Sequence, residues 1–503
     1  MSESLSRNLA LAAAGSWPDV TGASFSVVGL GKSGVAAANA LVERGALVLA
    51  LDDAPESKLQ AALQALDRRV EVHCGHQAGP VGRRGDIFVM SPGVMPHSTR
   101  FRDVRAVASA VLSEIEVFYR LDRASNGGYG HPIVAISGTD GKTTTTLWIA
   151  HILRAAGYTV AVGGNIGDPL CGFLGQLQPH AVVVAEVSAF QLFTCDKFRP
   201  RAAVVTNIAH DHLDWFAGDV DAYVATKVKV AAQQGPGDAL VINGDDPELQ
   251  PHRDVLSHAP HAWQPFSTQG VPECGLGFDG QTLWWALDRR QRIKLVDAAD
   301  LGCDGKFAIT GLHNVENALS ASGLALAMGV PLAALQQGLR TFSLPSHRIE
   351  PVATLAGVRF VDDSKATNPH AAIAGLTATA RPDETLVWIG GGSEKDSDFD
   401  QLGQVVGQVA RHAILIGQTA QRIAACLPAT VTVHRVATLQ EAVPLGLQLA
   451  GPRGAVLLSP ACASFDMFAG YAHRGEVFAQ AVLALQAALM QRAPSQDLPK
   501  SSQ

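Results

Sequence analysis

Gly138-Thr-Asp-Gly-Lys-Thr-Thr144 gathers glycines, a lysine and a run of hydroxyls, the residue types that grip a polyphosphate. Glycines let phosphate oxygens approach the backbone, and N–H groups at a helix start point at the anion. Lys142 would put a point charge on the terminal phosphates, and the Thr143 hydroxyl would ligate magnesium. Ile136 stands where the eight-residue P-loop pattern has its first glycine, so a plain strand-to-helix turn is the alternative. Glu186, inside the apolar run Ala181–Ser188, is the acid such a site needs for its metal. Its other reading is an edge acid facing solvent. His210, Asp211, His212 and Asp214 follow the apolar run Ala202–Asn207; they could serve a metal or a phosphate, or simply line a surface loop. Lys227 reads as an ordinary helical lysine. Asn314 and Asn317, one turn apart, could face one ligand or cap the helix they begin.

Two further groups have the same character. Phe25–Gly34 is a strand running into G-x-G-x-x-G, with Asp52 and Asp53 ending the next strand, Leu47–Leu51. That pattern binds a pyrophosphate and a ribose hydroxyl. Alone it suggests NAD, and a nucleoside diphosphate such as UDP meets the same physics. Ser91-Pro-Gly93 ends the strand Asp86–Met90, and Gly163–Gly167 is a turn that could approach a ligand. Near the other end lie Asp362–Asn368, Gly390–Lys395 and Ser459–Ser464, each at a strand's carboxyl end. There they would wall a ligand site.

The elements that position these groups alternate strand and helix, which predicts an α/β chain of parallel sheets. The Gly-rich stretch Arg123–His131 and the segment Leu344–Arg348 mark boundaries. Three domains follow: residues 1–126, Rossmann-like; 127–346, a P-loop ATPase-like parallel sheet with a small β region over 260–310; and 347–503, again Rossmann-like. The polar tail Arg492–Gln503 is expected to be disordered. The apolar run Leu9–Gly15 is short, and Glu3 sits where a signal peptide would be basic; a frayed tail is the preferred reading.

At 503 residues, 47% hydrophobic and 17% charged with 49 glycines, the composition is that of a soluble α/β protein. A net charge of −7 argues against a nucleic-acid surface. The 7 cysteines contain no C-x-x-C, so neither a zinc cluster nor a disulfide framework is suggested, and a reducing cytoplasm fits. No uncharged stretch approaches the roughly 18 residues of a membrane span.

Taken in order, these motifs resemble the Mur ligases, the cytoplasmic amino-acid-adding enzymes of bacterial peptidoglycan synthesis. The residues that carry the resemblance are Gly138–Thr144, Glu186, Asn207 with His212, His313-Asn-x-x-Asn317, His347-Arg348 and Asp363-Ser-Lys365. Asp363–Asn368, Ser459–Ser464 and Val187–Leu192 look like the member that adds D-glutamate. The resemblance implies a monomeric, ATP-dependent ligase joining D-glutamate to UDP-N-acetylmuramoyl-L-alanine through an acyl phosphate and a tetrahedral intermediate.

It also implies roles. Gly138, Thr139, Asp140, Gly141, Lys142, Thr143 and Thr144 would cradle the ATP phosphates; Asn317, Arg348 and Asp363 would meet the rest of the nucleotide. Of two magnesium ions, one would take Thr143 and Glu186. The other would sit at His212 beside a carbamylated Lys227. Lys142 and Lys365 would act in catalysis with His212 and Lys227. The incoming glutamate would lie among Lys365, Thr367, Lys395, Ser464 and Tyr471. The UDP-sugar would lie among Gly31, Lys32, Ser33, Asp52, Ser91, Pro92, Gly93 and Asn165. A site where three domains meet implies domain closure. Three positions depart from the pattern: Asp140 where the family more often has Asn, Ala189 for a second Ser, and Tyr471 for Phe. The rivals are a folylpolyglutamate synthase, which needs no N-terminal nucleotide fingerprint, an NAD-dependent dehydrogenase, which leaves Lys142 and Glu186 unexplained, and a nucleotide-regulated binding protein without catalysis.

Overall fold

A computed structural model describes residues 3–75, 82–209, 213–252, 262–303, 309, 311–344, 346–393 and 397–492. The chain forms two compact units, Met1–Asp304 with Asn314–Phe342, and Gly305–His313 with Ser343–Gln503. Among the described residues the strands build three sheets.

The first sheet comprises β1 (Ser24–Val28), β2 (Leu47–Asp52), β3 (Glu71–Cys74), β4 (Ile87–Met90) and β5 (Ala110–Leu112), in the order β3-β2-β1-β4-β5. Its pairings are all parallel. Every residue of β1 and β4 is buried, as expected of a parallel sheet covered on both faces. The order reverses at β1/β4, which opens a crevice at the carboxyl ends of the strands.

The second sheet, in the same unit, comprises β6 (Ile133–Ser137), β7 (Val160–Gly164), β8 (Val182–Glu186), β9 (Ala202–Val205), β10 (Ala239–Asn243), β11 (Ala262–Ser267), β12 (Gly275–Phe278), β13 (Thr282–Ala286) and β14 (Arg292–Asp297). It runs β14-β13-β12-β11-β10-β9-β6-β8-β7. The β region expected beside this domain is therefore continuous with it: β12 joins β11 in parallel, and β13 and β14 add an antiparallel hairpin. The turn read at Gly163–Gly167 begins within an edge strand, β7, whose apolar part is only Val160–Val162 and half-buried.

The expected frayed tail is instead the helix Glu3–Ala13. Asn8 is 1% exposed and its amide donates to Ser24 Oγ (2.9 Å) and Gly85 O (2.8 Å). Arg120 reaches back to Ala12 O (2.9 Å). A buried amide with both donors satisfied fixes such a helix where an apolar count alone would leave it loose.

The helix Glu114–Asp122 fastens the first sheet's domain to the second. Fully buried Glu116 accepts the backbone N–H groups of Asp196 (3.2 Å), Lys197 (2.9 Å) and Phe198 (2.9 Å) and pairs with Arg120 (2.6 Å). Glu114 accepts Cys171 N at 2.5 Å, and burial pushes its carboxyl up to about 7.

The third sheet, in the second unit, comprises β15 (Glu350–Leu355), β16 (Val358–Asp362), β17 (Thr385–Gly390), β18 (His412–Leu415), β19 (Thr432–Arg435) and β20 (Gly454–Leu458). Its order is β15-β16-β20-β17-β18-β19, parallel except for β15. Separate cores cover its faces, one around Trp388 and Leu457, the other around Phe360 and Val456. The sequence shows β16, β17, β18 and β20 by their apolar runs; β15 and β19 are half-exposed edge strands without one.

Candidate active site

β6 ends at Ser137, and the chain then turns through Gly138 (φ 134°) and Gly141 (φ 75°) into the helix Lys142–Ala155. Both glycines are forced. A Cβ at Gly138 would lie 1.9 Å from Thr206 Oγ1, and one at Gly141 2.1 Å from Asn317 Oδ1. The end of β9 holds the turn from beneath: Thr206 Oγ1 donates to Asp140 O (2.7 Å), and Asn207 Oδ1 accepts from Asp140 N (2.8 Å). Lys142 folds across the loop, its Nζ donating to Thr139 O at 2.6 Å. Thr144 is fully buried, so its backbone N–H, in the first helical turn, is what it can offer an anion.

Glu186, 2% exposed, is no edge acid. Its Oε2 accepts from Thr143 Oγ1 (2.8 Å), and its Oε1 accepts from Asn165 Nδ2 (2.9 Å). Asn165, expected at the UDP-sugar, is thus tied to this acid. A buried carboxylate bonded to the hydroxyl at a phosphate turn is the oxygen-donor set that magnesium takes. Lys227, 3% exposed, is no ordinary surface lysine: its Nζ donates to Gly138 O at 2.5 Å and lies 4.6 Å from the Tyr223 ring centroid. Tyr223 Oη bonds Thr139 Oγ1 at 3.0 Å. His212 lies outside the described residues.

Asn314 and Asn317 fall within the helix Leu312–Ala327, both buried, and neither is its cap. Asn317 accepts from Thr145 Oγ1 (3.2 Å) and stands against Gly141. Glu316 beside them is pushed up to about 7 by burial and by the carboxylates of Asp245, Asp246 and Asp140.

At the first sheet, Gly29 (φ 93°) would put a Cβ 2.5 Å from Ser91 Cβ, and one on Gly34 would lie 1.9 Å from Gly29 O. Asp52 accepts Leu30 N (2.7 Å) and Ala54 N (2.8 Å), so its carboxylate ties the glycine turn to the loop after β2. Gly31, Lys32 and Ser33 head the helix Lys32–Glu43, and a Cβ on Gly31 would meet nothing within 4 Å. Ser91 is held by its N–H on Val28 O (2.8 Å), with Pro92 half-buried and Gly93 exposed beside it.

In the second unit the three polar clusters meet. Gly391 N donates to Pro460 O (2.8 Å), Ser393 N to Ala463 O (2.8 Å), and Ser459 Oγ to Asp363 Oδ2 (2.7 Å). Burial pushes Asp363 up to about 7. Arg348 sits between His347 (φ 65°) and Ile349 (φ 47°), a left-handed turn that non-glycine residues rarely adopt. His347 Nδ1 bonds Asp362 Oδ2 (2.7 Å), which raises its pKa, and its N–H donates to Glu350 (2.7 Å). Lys365 Nζ lies 5.6 Å from the Tyr471 ring centroid, Ser464 is buried and Thr367 half-buried. Lys395 lies outside the described residues.

Residues 23–113 match the family model for the Mur ligase MurD-like N-terminal domain, 136–325 the Mur ligase middle domain, and 347–462 the Mur ligase glutamate ligase domain. The UDP-N-acetylmuramoylalanine--D-glutamate ligase of Pelotomaculum thermopropionicum is 38% identical over 474 residues, 93% of this chain and 99% of that protein. The chain belongs to the Mur ligase family. The enzyme of the same name from Nitrosospira multiformis is 37% identical over 477 residues, 93% of this chain and 97% of its own. The UDP-N-acetylmuramate-alanine ligase MurC of Thermotoga maritima shares the fold with a TM-score of 0.55 at 18% identity, covering 92% of this chain and 99% of that one. MurF ligase of Thermotoga maritima, solved with ADP, has a TM-score of 0.54 at 17% identity, over 82% and 96%.

One residue of this Mur ligase escaped the sequence reading. Arg474 is fully buried in the helix Tyr471–Arg492. It donates to Ser364 Oγ (2.9 Å), Ser364 O (2.8 Å) and Cys462 O (3.0 Å), and a Cβ on Gly392 would lie 3.2 Å from its Nη1. One guanidinium thus ties the loop at Ser364 to the loop at Cys462, with Gly392 packed close beside it. Burial lowers its pKa to about 10. Its only sequence signal is a place one turn after Tyr471 on the same helix.

Proposed function

We propose that this Mur ligase adds D-glutamate to UDP-N-acetylmuramoyl-L-alanine at the expense of ATP, giving the amide, ADP and phosphate. The observation that carries the reading is the likeness to D-glutamate ligases along almost their whole length. The Thr143–Glu186 pair beneath Lys142 supports the ATP half of the reaction.

A carboxylate is a poor acyl donor. Transfer of the γ-phosphoryl group to the L-alanyl carboxylate gives an acyl phosphate, which the glutamate amine attacks to form a tetrahedral, strongly anionic intermediate. Phosphate then leaves. Lys142 and the N–H groups of the turn hold the phosphates and offset charge as it develops. Thr143 and Glu186 would hold magnesium, which would supply positive charge against the phosphates. A second ion would take His212 and Lys227. The support for a carbamylated Lys227 is its burial beside Gly138 O and the Tyr223 ring, since desolvation favours the neutral amine that reacts with carbon dioxide. Asn317, Arg348 and Asp363 serve the nucleotide. Lys365 and Lys395 suit a substrate with two carboxylates, with Thr367, Ser464 and Tyr471 around it. Gly31, Lys32, Ser33, Asp52 and Ser91–Gly93 hold the UDP-sugar. The domains are 1–126, 127–346 and 347–503, and the enzyme works as a cytoplasmic monomer; among the described residues no helix is long and apolar enough to cross a membrane.

The test is ADP release with UDP-N-acetylmuramoyl-L-alanine and D-glutamate, L-glutamate, L-lysine or diaminopimelate in turn. Turnover with D-glutamate alone is expected. Turnover with another amino acid would move specificity to Tyr471 and Lys395, and none with any would overturn the reading.

A further inference from the structure

A second cavity lies at the opposite end of the central sheet from the phosphate turn. Its volume is about 310 Å³, within the range of small-molecule pockets at its lower end. Strands β6, β9 and β10 begin at Ile133, Ala202 and Ala239, and the wall residues His131, Arg199, Arg201 and Asp238 immediately precede them. The helix Glu114–Asp122 and the glycine-rich linker after it supply Tyr119, Asp122, Arg123 and Tyr129. The phosphate turn follows the far end of β6, roughly 15 Å of strand away, so the two sites do not share residues.

The charges in this cavity are unequal. Three guanidinium groups face two carboxylates. Asp122 is taken up by His131, whose Nδ1 and backbone N each lie 2.6 Å from it. Asp238 accepts Arg199 Nε at 2.6 Å and lies 3.6 Å from Arg201 Nη1. Arg123 rests over the Tyr119 ring at 5.8 Å, and its side chain makes no hydrogen bond among the described residues. Nor do the Nη groups of Arg199 or the Nε of Arg201. The Tyr119 hydroxyl feels both Arg123 and Arg199, which pull its pKa back against the rise that burial causes. Tyr129 is 83% exposed beside them, an uncovered ring at the mouth. Planar forks with unused donors around one cavity are what bidentate oxyanion recognition needs.

We propose that this cavity binds a small phosphorylated anion through Arg123, Arg199 and Arg201, at the linker between the N-terminal and central domains and apart from the catalytic site. Occupancy would tie the linker to the amino ends of the central strands, placing a regulatory ligand where those domains join.

The test is calorimetric titration of the full chain with inorganic pyrophosphate. Lys142→Ala, which weakens the phosphate turn, is expected to keep one binding event. Adding Arg123→Gln and Arg201→Gln to it should weaken that event at least tenfold. Both side chains are partly solvent-exposed, Arg201 by 47%, so an unchanged thermal melt is expected; Arg199 is left in place because it pairs with buried Asp238. Loss of all pyrophosphate binding in Lys142→Ala alone, or equal binding with and without the two arginines, would overturn the proposal.

Discussion

Two turns in this chain look alike on paper and differ in what they hold. Gly29–Gly34 and Gly138–Gly141 each follow a buried parallel strand, each uses a left-handed glycine, and each opens a helix. In both, a carboxylate from a neighbouring strand lies close to the turn. Asp52 turns its oxygens onto backbone amides, Leu30 N of the turn and Ala54 N of the loop after its own strand. Glu186 receives a hydroxyl, Thr143, and a side-chain amide, Asn165, groups that can step aside for a cation. The first carboxylate completes a backbone shape; the second is available for chemistry. Glycine spacing locates a phosphate turn, and the acid across the sheet decides its use.

That contrast breaks apart under substitution. Lys142→Ala, at the chemical turn, should lower kcat by about a thousandfold, as loss of a charge-stabilising donor does, with the melting temperature unchanged; near wild-type ADP release would sink the assignment. Gly34→Ala, at the shape-bearing turn, should act on folding instead. Its Cβ would lie 1.9 Å from Gly29 O, a backbone atom that cannot move aside, and a loss on the order of 3 kcal/mol in urea unfolding is expected. Asp52→Asn is the mildest. It exchanges one accepting oxygen for a donor that faces an N–H, so about 1–2 kcal/mol of turn stability should go. That should show as a raised KM for the UDP-sugar with kcat nearly constant; an equal fall in kcat would place Asp52 in the chemistry.

The sequence displays the buried strands of all three sheets because parallel strands covered on both faces are continuous apolar runs. It conceals β7, β15 and β19, which are edge strands with half-exposed residues. Lys142, Thr143 and Glu186 were legible because glycine punctuation and a lone acid in an apolar strand are local signals. Lys227 was not: its burial against Gly138 comes from packing across 89 residues of chain. Arg474 was hidden for the same reason, its partners Ser364 and Cys462 being distant in sequence and mostly backbone atoms. Helix Glu3–Ala13 was missed because only Leu11 of it enters the core and the buried amide of Asn8 does much of the anchoring.

Glu116 sets a limit on how the chain can be dissected. Its carboxylate gathers three successive N–H groups, Asp196 to Phe198, from the neighbouring domain. A fragment ending at the glycine-rich linker would carry that acid to a freshly bared surface with only Arg120 left to pair it, next to Ile115 and Phe118, whose burial lies in the core shared with the central domain. Family boundaries drawn by sequence need not be seams along which the protein can be cut, and the smallest soluble piece bearing the Gly29–Gly34 turn should also contain the second sheet.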